Sequence, residues 1–172
     1  VPEVWEEILK EEIKNAKKIC IMGIGNIEKM DDGAGALAVN KISSLLKSLR
    51  LKNLILINGG TTPENFTGTI RKFKPSLTIL IDACVNKEKP GTISIIVPDE
   101  IQFGDISTHR LPLSMLIKFL EETIPTKVIA IGIEPKLVDY GSVTPLVRKA
   151  IERFATRLVK IIRELKHNDI LE

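Results

Sequence analysis

Two neighbouring carboxylates, Asp31 and Asp32, stand in the stretch Ile19 to Gly35, ICIMGIGNIEKMDDGAG. An apolar run, Ile19 to Met22, leads into Gly23-Ile24-Gly25-Asn26, where two glycines allow tight turns. A short polar loop follows, then the acidic pair, then Gly33-Ala34-Gly35 and an apolar-periodic segment. Acidic side chains at a helix start suit the helix dipole, so one aspartate reads as a cap. The second, beside small residues that leave room for a ligand, asks for a function. Asp82 ends the apolar run Leu77 to Ile81. An aspartate there either ties a neighbouring loop or faces a ligand. The chain has 2 histidines, and His167 sits in the tail. Histidine chemistry therefore falls to His109, unless that residue is a satisfied structural histidine. Two carboxylates and an imidazole suit a divalent transition metal with open positions for substrate or water. They lie in separate loops, so their spacing alone is not diagnostic. Glu134, just before Pro135, reads as loop architecture, and Asn26 as the residue that holds its turn.

The elements that must position these groups follow from periodicity. Val4, Trp5, Ile8, Leu9, Ile13 and Ala16 recur at helical spacing, with Pro2 near the start. A strand is expected over Lys18 to Met22 and a helix over Gly33 to Leu49, with Leu37, Ile42, Leu45, Leu46 and Leu49 inward. Leu54 to Ile57 reads as a strand closing on Asn58-Gly59-Gly60-Thr61. Thr62 and Pro63 open a short helix that stops before Pro75. Strands follow at Leu77 to Ile81, Thr92 to Val97 and Lys127 to Ile133. A charged turn, Lys87 to Gly91, allows one antiparallel hairpin between the first two of these. The stretch Asp99 to Thr108 is the least regular, and a helix from Leu113 stops near Pro125. Thr144 and Pro145 open the last helix, whose buried side is read as Leu146, Ala150, Ile151, Phe154, Leu158, Ile162 and Leu165. His167 to Glu172 is expected to fray.

Strands that are near-continuous apolar runs, alternating with helices, predict an α/β fold: a three-layer sandwich with a mostly parallel sheet of about five strands and helices on both faces. One domain over residues 1–172 is expected, since this length suits a single core. In open parallel sheets ligands bind beyond the carboxyl ends of the strands. Gly23 to Asn26, Asn58 to Thr61, Asp82 and Glu134 all follow strands. Asp32 lies at the far end of the first loop, and His109 reaches the same edge if its helix packs normally.

Composition excludes several classes. Hydrophobic and charged shares of 44% and 27% are those of a soluble globular protein. A net charge of +3, dispersed basic residues and only 4% aromatics argue against a nucleic-acid groove. No apolar run approaches the roughly 20 residues that span a bilayer. No charged-then-apolar leader precedes Val1-Pro2-Glu3, so a cytoplasmic location is expected. Cys20 and Cys84 have neither disulfide-framework nor zinc spacing and read as reduced thiols. A dinucleotide site would want G-x-G-x-x-G, which Glu28 breaks, and an acidic residue where Asn58 stands. G-x-S-x-G of serine hydrolases is absent. A non-catalytic binding module stays open on these residues alone.

Several motifs, in order, carry a specific resemblance: Gly25-Asn26 and Asp31-Asp32-Gly33-Ala34-Gly35; Gly59-Gly60-Thr61-Thr62-Pro63-Glu64; Ile81-Asp82-Ala83; Thr108-His109-Arg110-Leu111-Pro112-Leu113; and Gly132-Ile133-Glu134-Pro135. The sequence resembles the nickel-iron hydrogenase maturation endopeptidases over most of its length, the first helix and the tail excepted. The resemblance implies a peptidase, of aspartic or metal-dependent type, that cuts a C-terminal extension from the precursor of a nickel-iron hydrogenase large subunit once nickel is in place. It implies that Asp32, Asp82 and His109 are both the metal ligands and the catalytic residues, and that Gly59, Gly60 and Thr61 meet the substrate. The resemblance further implies that the nickel is supplied by the substrate, and another divalent metal is expected to be able to bind in crystals. A monomer is expected. A metal-sensing chaperone of hydrogenase assembly is the alternative. One departure is Asn58, where the family usually has an acidic residue; it bears on loop chemistry and substrate preference rather than on the metal ligands.

Overall fold

The computed structural model describes residues 1–98 and 111–171. Helix α1 spans Val4–Asn15, strand β1 Ile19–Ile24, helix α2 Ala34–Leu45, strand β2 Arg50–Leu51 and strand β3 Leu54–Gly60. Helix α3 (Thr67–Phe73), strand β4 (Leu77–Ala83) and strand β5 (Ile93–Ile96) follow, then helix α4 (Leu113–Thr123), strand β6 (Lys127–Ile133), helix α5 (Pro145–Leu165) and strand β7 (Ile170–Leu171).

Five strands form one sheet in the order β3-β1-β4-β6-β5. Every pair is parallel except β5 with β6. The period-2 alternation of each strand splits its side chains between two cores. Ile19 and Ile21 of β1, Ile79 and Ile81 of β4 and Ile131 and Ile133 of β6 pack under α1, α2 and α5. Cys20, Met22 and Ile24 of β1, Leu80 of β4 and Ala130 of β6 face α3 and α4. The result is the expected three-layer sandwich. Trp5 and Phe154 anchor the first core, 1% and 0% exposed, with ring centroids 4.8 Å apart. No helix among the described residues is long and apolar enough to cross a membrane.

Topology decides where a ligand can sit. The chain leaves β1 through α2 to reach β3 on one side. From β4 it goes the other way, toward β5 and β6. The carboxyl ends of β1 and β4 therefore flank a topological switch point, the crevice where open α/β sheets bind ligands.

The structure corrects four expectations. The antiparallel strand β5 pairs with β6, not with β4, because β6 inserts between them. Helix α2 ends at Leu45 rather than Leu49. Leu46 is buried and Leu37, Leu45 and Leu49 are half-buried against the same core, as expected, but the most buried face of α2, Ala34, Gly35, Ala36, Ala38, Val39 and Ile42, is made largely of small residues. The reason is distance: a Cβ on Gly23 would lie 2.1 Å from Gly35 O, and one on Gly35 would lie 2.0 Å from Ile81 O. Only small residues let the helix backbone come this near the sheet. Val4, Ile8, Leu146 and Leu165 point outward rather than into the core. The tail is ordered through Leu171: the backbone of β7 pairs antiparallel with β2, the short strand just before β3.

Candidate active site

The site is assembled where β1 gives way to α2. Gly25 has φ +145°, and a Cβ there would lie 2.0 Å from Asp32 O, so no side chain fits. Gly25 N donates to Gly60 O at 2.9 Å, which sets the end of β3 beside this loop. Asn26 holds the turn as expected: its Oδ1 accepts from Glu28 N at 2.9 Å. Its own N–H donates to Asp32 Oδ2 at 3.0 Å. Asp32 is 1% exposed, and its carboxylate is therefore fixed by the loop that it closes.

Asp31 is not a helix cap. Its side chain, 0% exposed, faces the segment between β6 and α5. Asp31 Oδ2 accepts from Lys136 N at 2.9 Å and Leu137 N at 3.1 Å. Oδ1 accepts from Thr144 N at 2.7 Å, and the Thr144 hydroxyl lies 3.0 and 2.9 Å from the two oxygens. Main-chain bonds complete the tie: Met30 N to Gly141 O and Gly141 N to Glu28 O, both 2.8 Å, and Asp31 N to Leu137 O at 3.2 Å. The two loops form one hydrogen-bonded rim, and Ile27, Leu137, Val138 and Tyr140 stand exposed on it. Sequence reasoning missed this rim. Its signal was the apolar pair Leu137-Val138 in a strand-to-helix loop that needs no core residues.

Asp82 lies within β4, opposite Gly132 of β6, and is half-buried. The carbonyl of the preceding Ile81 is the one that Gly35 abuts. Asp32 and Asp82 thus flank the switch point between β1 and β4, and each has a further interaction partner. His109, the expected third ligand, lies outside the described residues, as do Arg110 and Asp99 to Thr108. Among the described residues alone, no group of three His, Cys, Asp or Glu side chains is arranged to hold a metal.

Asn58, Gly59 and Gly60 belong to the last turns of β3 rather than to a loop. Gly60 has φ +54°, the left-handed region that favours glycine. Asn58 Oδ1 accepts from Gly60 N at 3.0 Å, and its Nδ2 donates to Asn40 Oδ1 at 3.2 Å. Thr61, next along, is exposed. Glu134 is architectural, as expected. It is 6% exposed, and its Oε2 accepts from Asn86 N at 2.7 Å. Neither cysteine is in a disulfide, and burial pushes the Cys20 thiol up to about 12.

Comparison with known proteins agrees with this fold. Residues 39–161 match the family model described as hydrogenase maturation protease. A putative hydrogenase maturation protease of Methanocaldococcus jannaschii is 38% identical over 165 residues, covering 94% of this chain and 98% of its own. The hydrogenase 3 maturation protease of Escherichia coli K12 is 36% identical, covering 80% and 86%. The crystal structure of a NiFe hydrogenase maturation protease from Thermococcus kodakarensis superposes with a TM-score of 0.80 at 27% identity, over 91% of this chain and 99% of that one. A sheet-edge carboxylate pair at the switch point, a glycine-rich strand end beside it and these likenesses in sequence and structure lead to one conclusion: the chain belongs to the hydrogenase maturation protease family.

Proposed function

We propose that this protein is an endopeptidase that removes the C-terminal extension from the nickel-loaded precursor of a nickel-iron hydrogenase large subunit. The observation that carries the reading is the placement of Asp32 and Asp82 on either side of one switch point, with Gly59 and Gly60 at its lip. In this reading Asp32, Asp82 and His109 grip the nickel of the precursor, which arrives as part of the substrate. That grip checks metal loading and sets the scissile bond in place. Asp32 is held by the Asn26 amide and orients. Asp82, less buried at its strand end, takes the proton of the attacking water. The water oxygen bonds to the peptide carbonyl carbon, the C–N bond breaks, and the proton passes to the departing amine. The enzyme acts as a cytoplasmic monomer.

The test is a time course on precursor with and without nickel. The parent protein is expected to trim only the nickel-loaded form. Asp82→Asn keeps the shape but loses the basic carboxylate, and trimming should slow by about 10²-fold or more while precursor is still bound. Normal trimming by Asp82→Asn would refute the catalytic role. Binding without trimming by the parent would favour an assembly chaperone instead.

A further inference from the structure

Among the described residues, strand β3 is an edge of the five-stranded sheet and pairs with β1 alone. The register Ile19↔Leu54, with Ile19 N donating to Asn53 O at 2.9 Å, sets the parity of its backbone. Ile55 and Ile57 turn their N–H and C=O groups to β1, and Leu54, Leu56 and Asn58 turn theirs outward. The open stretch ends at Gly60, whose N–H is taken by Asn58 Oδ1 and whose carbonyl is taken by Gly25 N. Edge strands are commonly blunted by lysine, proline or inward charge. Leu54-Ile55-Leu56-Ile57 has none of these, and Leu54, Ile55 and Leu56 are half-buried only. A groove of about 340 Å³ lies alongside, lined by Leu46, Lys47, Leu49, Leu51, Leu54 and Leu56.

We infer that the outer edge of β3 receives the precursor's C-terminal extension as an added antiparallel strand, with the scissile bond beside Gly60. The inference rests on the endopeptidase reading. A main-chain ladder holds an extended peptide with little regard for its sequence, and alternate side chains drop into the groove. Continuity with the site selects this occupant, because the open edge runs straight into the Gly25–Gly60 contact beside Asp32. Charge selects the direction. From Gly60 down to Leu54 the edge spans roughly 20 Å, about six residues of peptide. A chain running that way brings its terminal carboxylate to the end of β3 where Lys47, Arg50 and Lys52 are exposed.

Hydrogen exchange tests this on the Asp82→Asn protein, mixed with nickel-loaded precursor or with the same subunit lacking its extension. Amides of Leu54, Leu56 and Asn58 should slow by about tenfold or more with precursor alone, since Ile55 and Ile57 are already in the ladder. Equal protection by both forms, or none, overturns strand addition while the parent still trims. Failure of the parent to trim overturns the endopeptidase reading and this inference together. Protection that rises with protein concentration and needs no precursor identifies a second copy as the occupant and also overturns it. Leu56→Pro removes one outward N–H and leaves the β1 ladder intact. It should raise KM about tenfold at unchanged kcat, the size of one lost hydrogen bond with its steric cost. An unchanged KM in a folded Leu56→Pro protein counts against the added strand.

Discussion

Replacing Asp31 by asparagine tests whether one buried carboxylate holds the rim together. The parent side chain accepts three main-chain N–H groups and stands beside the Thr144 hydroxyl, fully buried. Asparagine keeps one oxygen. With that oxygen at the Oδ2 position, Lys136 and Leu137 keep their acceptor, but Thr144 N–H faces an NH₂ group. The reverse orientation strands two donors, so the first is preferred. The Thr144 hydroxyl can rotate to accept from the new amide. What remains is one buried N–H that has lost a charged acceptor, which costs about 3 kcal/mol, the upper end for an unsatisfied buried group. For a chain of this size that lowers the thermal midpoint by roughly 6–12 °C. Urea unfolding should show a lower midpoint at unchanged slope. Amide exchange should accelerate most at Thr144. An unfolding free energy within about 0.5 kcal/mol of the parent's, with Thr144 still protected, would refute the reasoning.

Gly35→Ala places a Cβ 2.0 Å from Ile81 O and 2.4 Å from Ile24 O, so α2 must lift off two strands. The loss should exceed about 3 kcal/mol in a thermal melt, whereas Gly68→Ala, with nothing within 4 Å in α3, should gain up to about 1 kcal/mol. Cys20 should resist a thiol reagent at pH 8 until the protein unfolds, because burial raises its pKa from 9.0 to about 12. The folded state keeps across that window a proton that the unfolded chain releases. Stability should therefore fall as pH rises above 9.0, with a contribution of about 1.4 kcal/mol per unit that Cys20→Ala abolishes.

The strands were legible because a buried parallel strand is a run of apolar side chains, and β6 begins and ends where its run does. Their carboxyl ends were less so. β1 continues through Ile24, β3 through Gly60 and β4 through Ala83, since ladder hydrogen bonds belong to the backbone and outlast the apolar side chains. The leucines expected inward around α2 do pack on the core, but its small residues were not singled out, because hydrophobicity marks leucine while close approach demands alanine and glycine. Asp32 and Asp82 could be placed from the rule that sheets bind at strand ends. The partners of Asp31 could not, because they lie on loops that only the finished sheet brings near. The pairing of β7 with β2 is equally non-local, and two residues carry no period.

The bonds that hold the rim are made almost wholly by main-chain N–H and C=O groups, with Asp31 as their anchor. Such bonds constrain the number of residues between Lys136 and Thr144, and the path they take, but not which side chains they bear. Leu137, Val138 and Tyr140, and Ile27 across from them, can therefore change identity without loosening the carboxylate beside them. This makes the rim a cassette of set length and open content. Related chains can diverge there residue by residue while the crevice between β1 and β4 stays as it is, and a designer can exchange these four positions without rebuilding the scaffold.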